Sequence, residues 1–300
     1  MSTPPIRFGL SLPIVQQVPG RAQPWEHSAE PSELLAIAQE ADRLGFSHLS
    51  ACDHIAIPQS YAASAGTVWY DAAVTLGFIA AGTTRIRLLA HVIVLPYRHP
   101  LAIAKSFATL DHLSGGRVIL GAGCGHMKPE FRALGVRYED RGALSDEYLQ
   151  AIRTAWEQEV ASFDGRFVRF RDVTVAPRPR QSPHPPIWVG GNSRAAARRA
   201  AHYGDGWVPW MITPTHFAQL VQHARALRVE LGRTEPFDCV APLAVAVDDA
   251  PTAIATRVAE WIAAGATAFH VGLAHTSREQ LRERMMLFAR QVIAPERLPH

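Results

Sequence analysis

Two glycine-rich segments stand where anion chemistry would need them. Gly121-Ala122-Gly123-Cys124-Gly125 follows directly on the apolar run Arg117-Val118-Ile119-Leu120, so the exit of an expected strand carries almost no side chains. A bare backbone lets a phosphate come close to its N–H groups. The second segment, Pro186-Ile187-Trp188-Val189-Gly190-Gly191-Asn192-Ser193, breaks at paired glycines and opens an alanine-rich helix at Asn192 or Ser193. A helix start offers free N–H groups and the positive end of a dipole. Together the two exits point to a phosphorylated cofactor or substrate. Taken singly, each fits a tight turn that needs glycine equally well. A Rossmann dinucleotide site fits poorly, because the third glycine comes one position early and several strand–helix units precede the motif.

The elements that would position these residues alternate along the chain. Strands are expected at Ile6–Leu12, Ser47–Cys52, Ile86–Leu95 and Arg117 onward, with helices at Pro31–Gly45, Asp71–Ala81, Pro100–Leu113 and Asp140–Trp156. The apolar spacing of Leu34, Leu35, Ala38, Ala41 and Leu44 and the glycine stop support the first of these helices. The stretch Ser162–Pro186 interrupts the rhythm and reads as an insertion carrying a short hairpin. Alternation then resumes through strands at Ile187–Val189, Gly206–Val208, Cys239–Val247 and Ala268–Val271, each followed by a helix. About eight such units without a linker predict one α/β domain over residues 1–300, a (β/α)8 TIM barrel with an insertion at about 160–186, between the fourth and fifth units.

In such a barrel the functional residues sit at the C-terminal ends of the strands. Those exits present Ser11 and Pro13, Asp53 and His54, His91 and Val92, Cys124 to His126, Gly191 and Asn192, and Trp207 with Trp210. Titratable and flat aromatic groups together suit an oxidoreductase pocket around a planar ring. Asp53, His54, His91, His126 and His202 are also metal-ligand types, but a metal-dependent barrel hydrolase usually carries His-x-His on its first strand, where this chain reads Phe8-Gly9-Leu10-Ser11. No metal is expected.

Composition narrows the function classes. With 48% hydrophobic and 19% charged residues the chain reads as an ordinary soluble globular protein, and a cytoplasmic location is expected. Cys52, Cys124 and Cys239 form no C-x-x-C pair, which argues against a disulfide framework or a zinc ribbon. A net charge of +3 on scattered arginines, without base-stacking aromatics among them, argues against nucleic acid, and no apolar run is long enough for a membrane. The expected partners are a small-molecule substrate and a second copy of the chain, as a homodimer.

Several stretches carry a resemblance. Ser50-Ala51-Cys52-Asp53-His54-Ile55-Ala56-Ile57-Pro58, Trp69-Tyr70-Asp71, Pro96-Tyr97-Arg98-His99-Pro100, Leu113 to Gly125, Ile187 to Ser193 and Gly204-Asp205-Gly206-Trp207 resemble, in order and through nearly the whole chain, the bacterial luciferase-like superfamily. Within it they are similar to flavin- and deazaflavin-dependent oxidoreductases. The resemblance implies a TIM barrel, and as cofactor either coenzyme F420, the first expectation here, or FMN. It places the cofactor's phosphate region at Gly190, Gly191, Asn192 and Ser193, with backbone contacts from Cys124 and Gly125. It sets the ring against a bulge in the third strand, at a non-prolyl cis peptide between His91 and Val92.

By the same resemblance His54 lies near the hydride-transferring carbon, Asp53 orients it, and a neutral imidazole relays a proton. An Asp-His pair at a strand end is equally a structural hydrogen-bonding pair. His126 stands where some relatives place a catalytic glutamate, a departure that leaves it either a proton carrier or pocket lining. The cationic residues that bind a sugar phosphate in some relatives have no clear match. Trp25, Tyr61, Trp69 and Trp210 are candidate walls of a substrate pocket. The implied activity is hydride transfer between the cofactor and a small organic substrate. The alternatives are an FMN-dependent monooxygenase using O2 and a non-catalytic flavin-binding barrel.

Overall fold

The computed structural model describes residues 5–293, and eight parallel strands close into a barrel. In chain order the elements begin with β1 (Arg7–Ser11), α1 (Pro31–Leu44), β2 (His48–Ala51), the short α2 (Ala62–Ala65), α3 (Ala72–Gly82), β3 (Arg87–Val94) and α4 (Pro100–Ser114). They continue with β4 (Val118–Gly123), α5 (Lys128–Ala133), α6 (Arg141–Glu157) and the hairpin strands β5 (Ala161–Asp164) and β6 (Arg169–Val173). The second half holds β7 (Ile187–Gly190), α7 (Arg194–Tyr203), β8 (Gly206–Val208), α8 (Pro214–Glu230), β9 (Asp238–Val245), α9 (Pro251–Ala263), β10 (Ala268–Leu273) and α10 (Arg278–Phe288). Around the barrel the strand order is β1-β10-β9-β8-β7-β4-β3-β2, and β5 and β6 pair antiparallel outside it. The insertion between the fourth and fifth units is therefore as expected.

Punctuation residues set the helix ends. Asp71 accepts the Val74 N–H at the start of α3, and Ser193 accepts the Ala196 N–H at the start of α7. Gly45 and Gly115 close α1 and α4 in the left-handed region, where a Cβ would be strained. Helix α5 is absent from the elements the sequence predicts, because six residues are too few for a periodic signal. Among the described residues no helix is long and apolar enough to cross a membrane.

Two apolar shells alternate along β3, β4 and β7 to β10, as both faces of a parallel barrel strand are covered. Leu89, Ile119, Trp188, Val208, Val240 and Ala268 fill the barrel interior, while the larger outer shell lies between strands and helices. The sequence suggests a place for Trp188 between barrel and helices. It lies inside because its neighbours Ile187 and Val189 point outward. Arg117 fits an ion-pairing role between helices by sequence. Instead its guanidinium donates to the carbonyls of Ala80, Thr83, Ile86 and Ser114, stitching the end of α3 to the base of β4.

Two carboxylates fasten the insertion: Glu147 of α6 accepts the backbone N–H groups of Arg166, Phe167 and Val168 at the hairpin turn, and Asp111 holds its far end. Asp111, fully buried in α4, accepts the backbone N–H groups of Arg180 (2.7 Å) and Gln181 (3.0 Å) and the Gln181 side-chain amide (2.7 Å). It also accepts the Val118 N–H at 3.3 Å, so the insertion and β4 share one anchor. Removing it strands several buried donors, each costing roughly 1–3 kcal/mol. Asp111→Ala should lower stability by about 2–4 kcal/mol. The shift of the urea midpoint at an unchanged m-value measures it, and a midpoint within error of wild type would exclude the anchor role.

Candidate active site at the barrel mouth

The short helix α5 starts at Lys128-Pro129 and delivers Glu130 into a fully enclosed position under the mouth. Four donors converge on its carboxylate. Oε2 lies 2.8 Å from His54 Nδ1 and accepts the Tyr97 hydroxyl at 3.0 Å. Oε1 accepts the backbone N–H groups of Ile55 at 2.9 Å and Ala56 at 3.1 Å. A carboxylate only accepts, so Nδ1 of His54 carries the proton, and in the neutral ring Nε2 is the nitrogen able to take one up. Burial works to raise the Glu130 pKa. The hydrogen bonds from His54, Ala56 and Ile55 outweigh it and hold the carboxyl below its ordinary range. Burial and the adjacent carboxylate push the Tyr97 phenol far above its usual value, so it stays a donor.

The structure corrects the role expected of Asp53. Its buried carboxylate forms a fork with Arg98 at 2.7 and 2.8 Å and accepts the Val94 N–H at 2.9 Å, so it is committed to the β3 exit and does not orient His54. Arg98 satisfies a buried anion better than an imidazole would, because its two N–H groups match the two oxygens. Glu130 does the orienting instead. Around His54 stand the Trp69 ring, edge-on at 4.5 Å, and the His126 ring at 6.0 Å. Partial burial, and next the neighbouring His54, lower the pKa of His126, although its side chain reaches solvent.

The third strand bulges between Ala90 and Ile93, and the His91–Val92 peptide is cis, as the resemblance implied. Val92 turns toward β4 and β7. An added Cβ at Gly123 would meet its Cγ2 at 2.5 Å, and one at Gly190 would meet its Cγ1 at 2.8 Å. A Cβ at Gly121 would lie 1.9 Å from the Ala90 carbonyl oxygen. These glycines are thus required by the packing of β3, and this explains them without a phosphate.

The features suited to an anion lie at the exit of β7. Gly191 has φ +109°, and Asn192, Ser193 and Arg194 are exposed at the first turn of α7. The first N–H groups of the helix open on this turn, and Arg194 is exposed at its first position, a setting that fits a phosphate. Because Ala122 pairs with Val189, Cys124 and Gly125 leave the barrel beside this turn, both half-exposed. The Trp207 indole N–H donates to the Gly191 carbonyl at 2.7 Å, and the Asn192 amide donates to the Trp210 carbonyl at 3.2 Å.

The opposite side of the mouth, over β8, β9, β10 and β1, holds an apolar cavity of about 520 Å3 that reaches α9. Trp210 lines it. Trp69 belongs to the His54 side, Trp25 packs at 5.6 Å against His275, and Tyr61 sits on the loop before α2; none of these three lines the cavity. Three histidines form a file through the barrel: His48 stacks at 5.9 Å on His270, which meets His91 at 4.4 Å. Burial pushes His48 down to about 3 and His91 to about 4, so the file is uncharged at neutral pH. Gly9 makes room for it, since a Cβ there would lie 2.0 Å from His48. Neither His48 nor His270 stands out in the sequence, because which face of a barrel strand is interior is not written in its pattern. Among the described residues no three His, Cys, Asp or Glu side chains gather as a metal site.

The Glu130 hub has an acid signature. A carboxyl held below its unfolded value of 4.5 contributes stability that is fully present above that pH and is lost as pH falls through the lower, folded value. Glu130→Gln should therefore be less stable than wild type at neutral pH, with the gap closing below about pH 4.5. Urea midpoints across pH measure it. A gap independent of pH would mean the carboxylate charge is not what holds the hub.

The model of the luciferase-like monooxygenase family matches residues 6–296. The FMNH(2)-dependent dimethylsulfone monooxygenase of Pseudomonas putida is 35% identical over 172 residues, covering 56% of this chain and 46% of that protein. An uncharacterised protein of Mycobacterium tuberculosis is 31% identical over 216 residues, covering 68% of this chain and 74% of its own length. The chain spans about half the length of the first curated relatives it matches. Among solved structures, a monooxygenase from Streptomyces bottropensis superposes with a TM-score of 0.81 at 24% identity, covering 97% of this chain and 99% of its own. The coenzyme F420-dependent tetrahydromethanopterin reductase of Methanopyrus kandleri gives 0.75 at 16%, with the same coverage. These likenesses in structure show a shared fold, and the family match through nearly the whole chain places the protein among the luciferase-like monooxygenases.

Proposed function

We propose that the protein is an oxidoreductase working on a flavin-type cofactor, with His54 as the proton-transferring residue. The observation that carries this reading is the Tyr97–Glu130–His54 chain, which presents an oriented imidazole at the same barrel mouth as the helix-start anion site. The first turn of α7, with Asn192, Ser193 and Arg194, would hold the cofactor phosphate, and the half-buried Val92 at the β3 bulge would back its ring. When bound, such a cofactor supplies the electron pair that reduces O2 or the substrate. The 35% identity to an FMNH(2)-dependent monooxygenase favours reduced FMN and O2 over hydride exchange with F420. The residues fit both cofactors, since a phosphate is common to each.

The chain's own contribution is positional and protolytic. Glu130 fixes the tautomer of His54 and holds its ring, so the imidazole takes a proton at Nε2 and returns it without turning. Tyr97 and two backbone N–H groups keep that carboxylate ionised and still. Trp69 closes one side of the imidazole against water. His126 is the second titratable group within reach, and its lowered pKa keeps it neutral and able to accept a proton.

Titrating the protein with oxidised FMN and with F420, followed by cofactor fluorescence, tests the cofactor assignment; binding of neither would overturn it. Ser193→Asp should keep the α7 cap, because aspartate caps as well as serine, yet weaken cofactor binding by ~10-fold or more by setting a carboxylate against the phosphate. This is a cleaner test than a substitution at Gly191, whose positive φ would strain any side chain. Equal affinity in a folded Ser193→Asp protein would move the phosphate site elsewhere.

His54→Ala should bind the cofactor with little loss and lower turnover by ~10²-fold or more, and Glu130→Gln should fall between it and wild type. Single-turnover rates against pH decide the point. Wild-type rates in both variants would leave the two residues structural.

A further inference from the structure

The polar groups of the Glu130 hub and of the α7 start occupy the β2, β3, β4 and β7 side of the mouth. The cavity over β8, β9, β10 and β1 shares none of them, and its chemistry is different. Trp210, Met211, Ile212, Pro242, Leu243 and Trp261 make most of its wall. Its volume of about 520 Å3 lies within the ~300–1,000 Å3 typical of small-molecule sites. Its lining includes the half-buried Ser11 and the buried His270, whose Nε2 lies 3.3 Å from the Ser50 hydroxyl and whose Nδ1 is enclosed.

Charge enters this space from α9 alone. Arg257 reaches it with its terminal nitrogens forked onto Asp249, Nη1 2.9 Å from Oδ1, and its enclosed Nε without a partner among the described residues. Glu260, the other charged residue in the wall, is an anion. Burial holds His270 far below its ordinary pKa, with His91 and His48 facing it, so it is neutral. A carboxylate, sulfonate or phosphate entering here would lose its hydration and find among the lining residues only the Arg257 guanidinium, whose two terminal nitrogens Asp249 already holds.

The cavity is joined to the anion site by structure. Asn192, at the first turn of α7, holds the Trp210 carbonyl at 3.2 Å, and the Trp210 ring lies 6.2 Å from that of His91 at the β3 bulge. A molecule in the cavity would therefore lie next to the ring position backed by Val92.

We propose that this cavity is the substrate chamber and that it takes an uncharged, predominantly apolar molecule bearing one hydrogen-bonding oxygen, which the Ser11 hydroxyl receives. The assignment of the chamber to substrate rests on the proposed function; the preference for uncharged apolar ligands rests on the lining alone.

The matched probes 2-undecanone and undecanoate, titrated calorimetrically into the FMN-loaded protein, test it. The ketone should bind at least ~10-fold more tightly than the carboxylate, as expected when an ion enters a site whose lining cation is already paired. Ala244→Trp, at an exposed position on the cavity wall, should weaken ketone binding by a similar factor and leave FMN affinity unchanged. Met211→Lys, on a loop side chain 70% exposed, adds a cation without touching the core and should move the preference toward undecanoate. Equal or tighter binding of undecanoate to the wild type, or ketone binding indifferent to both substitutions, would overturn the proposal. Ketone and FMN excluding one another would also overturn it, by making the cavity the seat of the cofactor ring. If the protein takes up no FMN or F420, the cofactor reading fails, while the same two probes on the cofactor-free protein still decide the chamber's preference.

Discussion

A carboxylate fully withdrawn from water must find a donor for each of its lone pairs, and Glu130 finds four. Those donors come from the loop after β2 and from the segment after β3, whereas Glu130 itself follows β4. Three consecutive strand exits of the barrel are thereby tied to one point. A buried anion with a missing partner costs far more than an apolar residue of the same size, so the hub ties the three loops tightly together. The position and tautomer of His54 follow from it.

Asp53 has a similar role in a neighbouring network, binding Arg98 and the end of β3. The adjacent residues Asp53 and His54 thus serve different networks. Both lie in the loop after β2, where Arg98 and the Val94 N–H take up the Asp53 carboxylate. The partner that can reach His54 comes from 76 residues away.

That distance explains what was legible in the sequence. The barrel could be read because each unit carries its own punctuation: Asp71 and Ser193 as caps, Gly45 and Gly115 as stops, and apolar runs between them. The His91–Val92 position came from the resemblance, since nothing in the run Leu88 to Val94 marks a bulge by composition. Glu130 was invisible because α5 spans six residues, too few for a periodic signal, and because a buried charge is identified by its partners and not by its neighbours in sequence. The hint available was Pro129, a residue favoured in a first helical turn, just before an apolar Phe131. The histidine file was likewise unreadable, as a strand covered on both faces shows no polar side against which to set its interior.

The glycines show how one residue type answers two needs a few ångströms apart. Gly121, Gly123 and Gly190 are bare because β3 crowds them, and Val92 fills the space that Gly123 and Gly190 leave. Gly191, one residue further on, has a left-handed backbone and turns the chain into the open start of α7. The crowding fixes the height of Val92 in the barrel, and the turn fixes where the helix N–H groups point. Because Gly190 and Gly191 are consecutive, the surface at the β3 bulge and the start of α7 are set by adjacent backbone units. The hydrogen bonds from Trp207 to Gly191 and from Asn192 to Trp210 extend that link to the wall of the apolar cavity. The two halves of the mouth, one polar and one apolar, are therefore held in register through β7 and β8, the strand pair whose exits carry the start of α7 and Trp210.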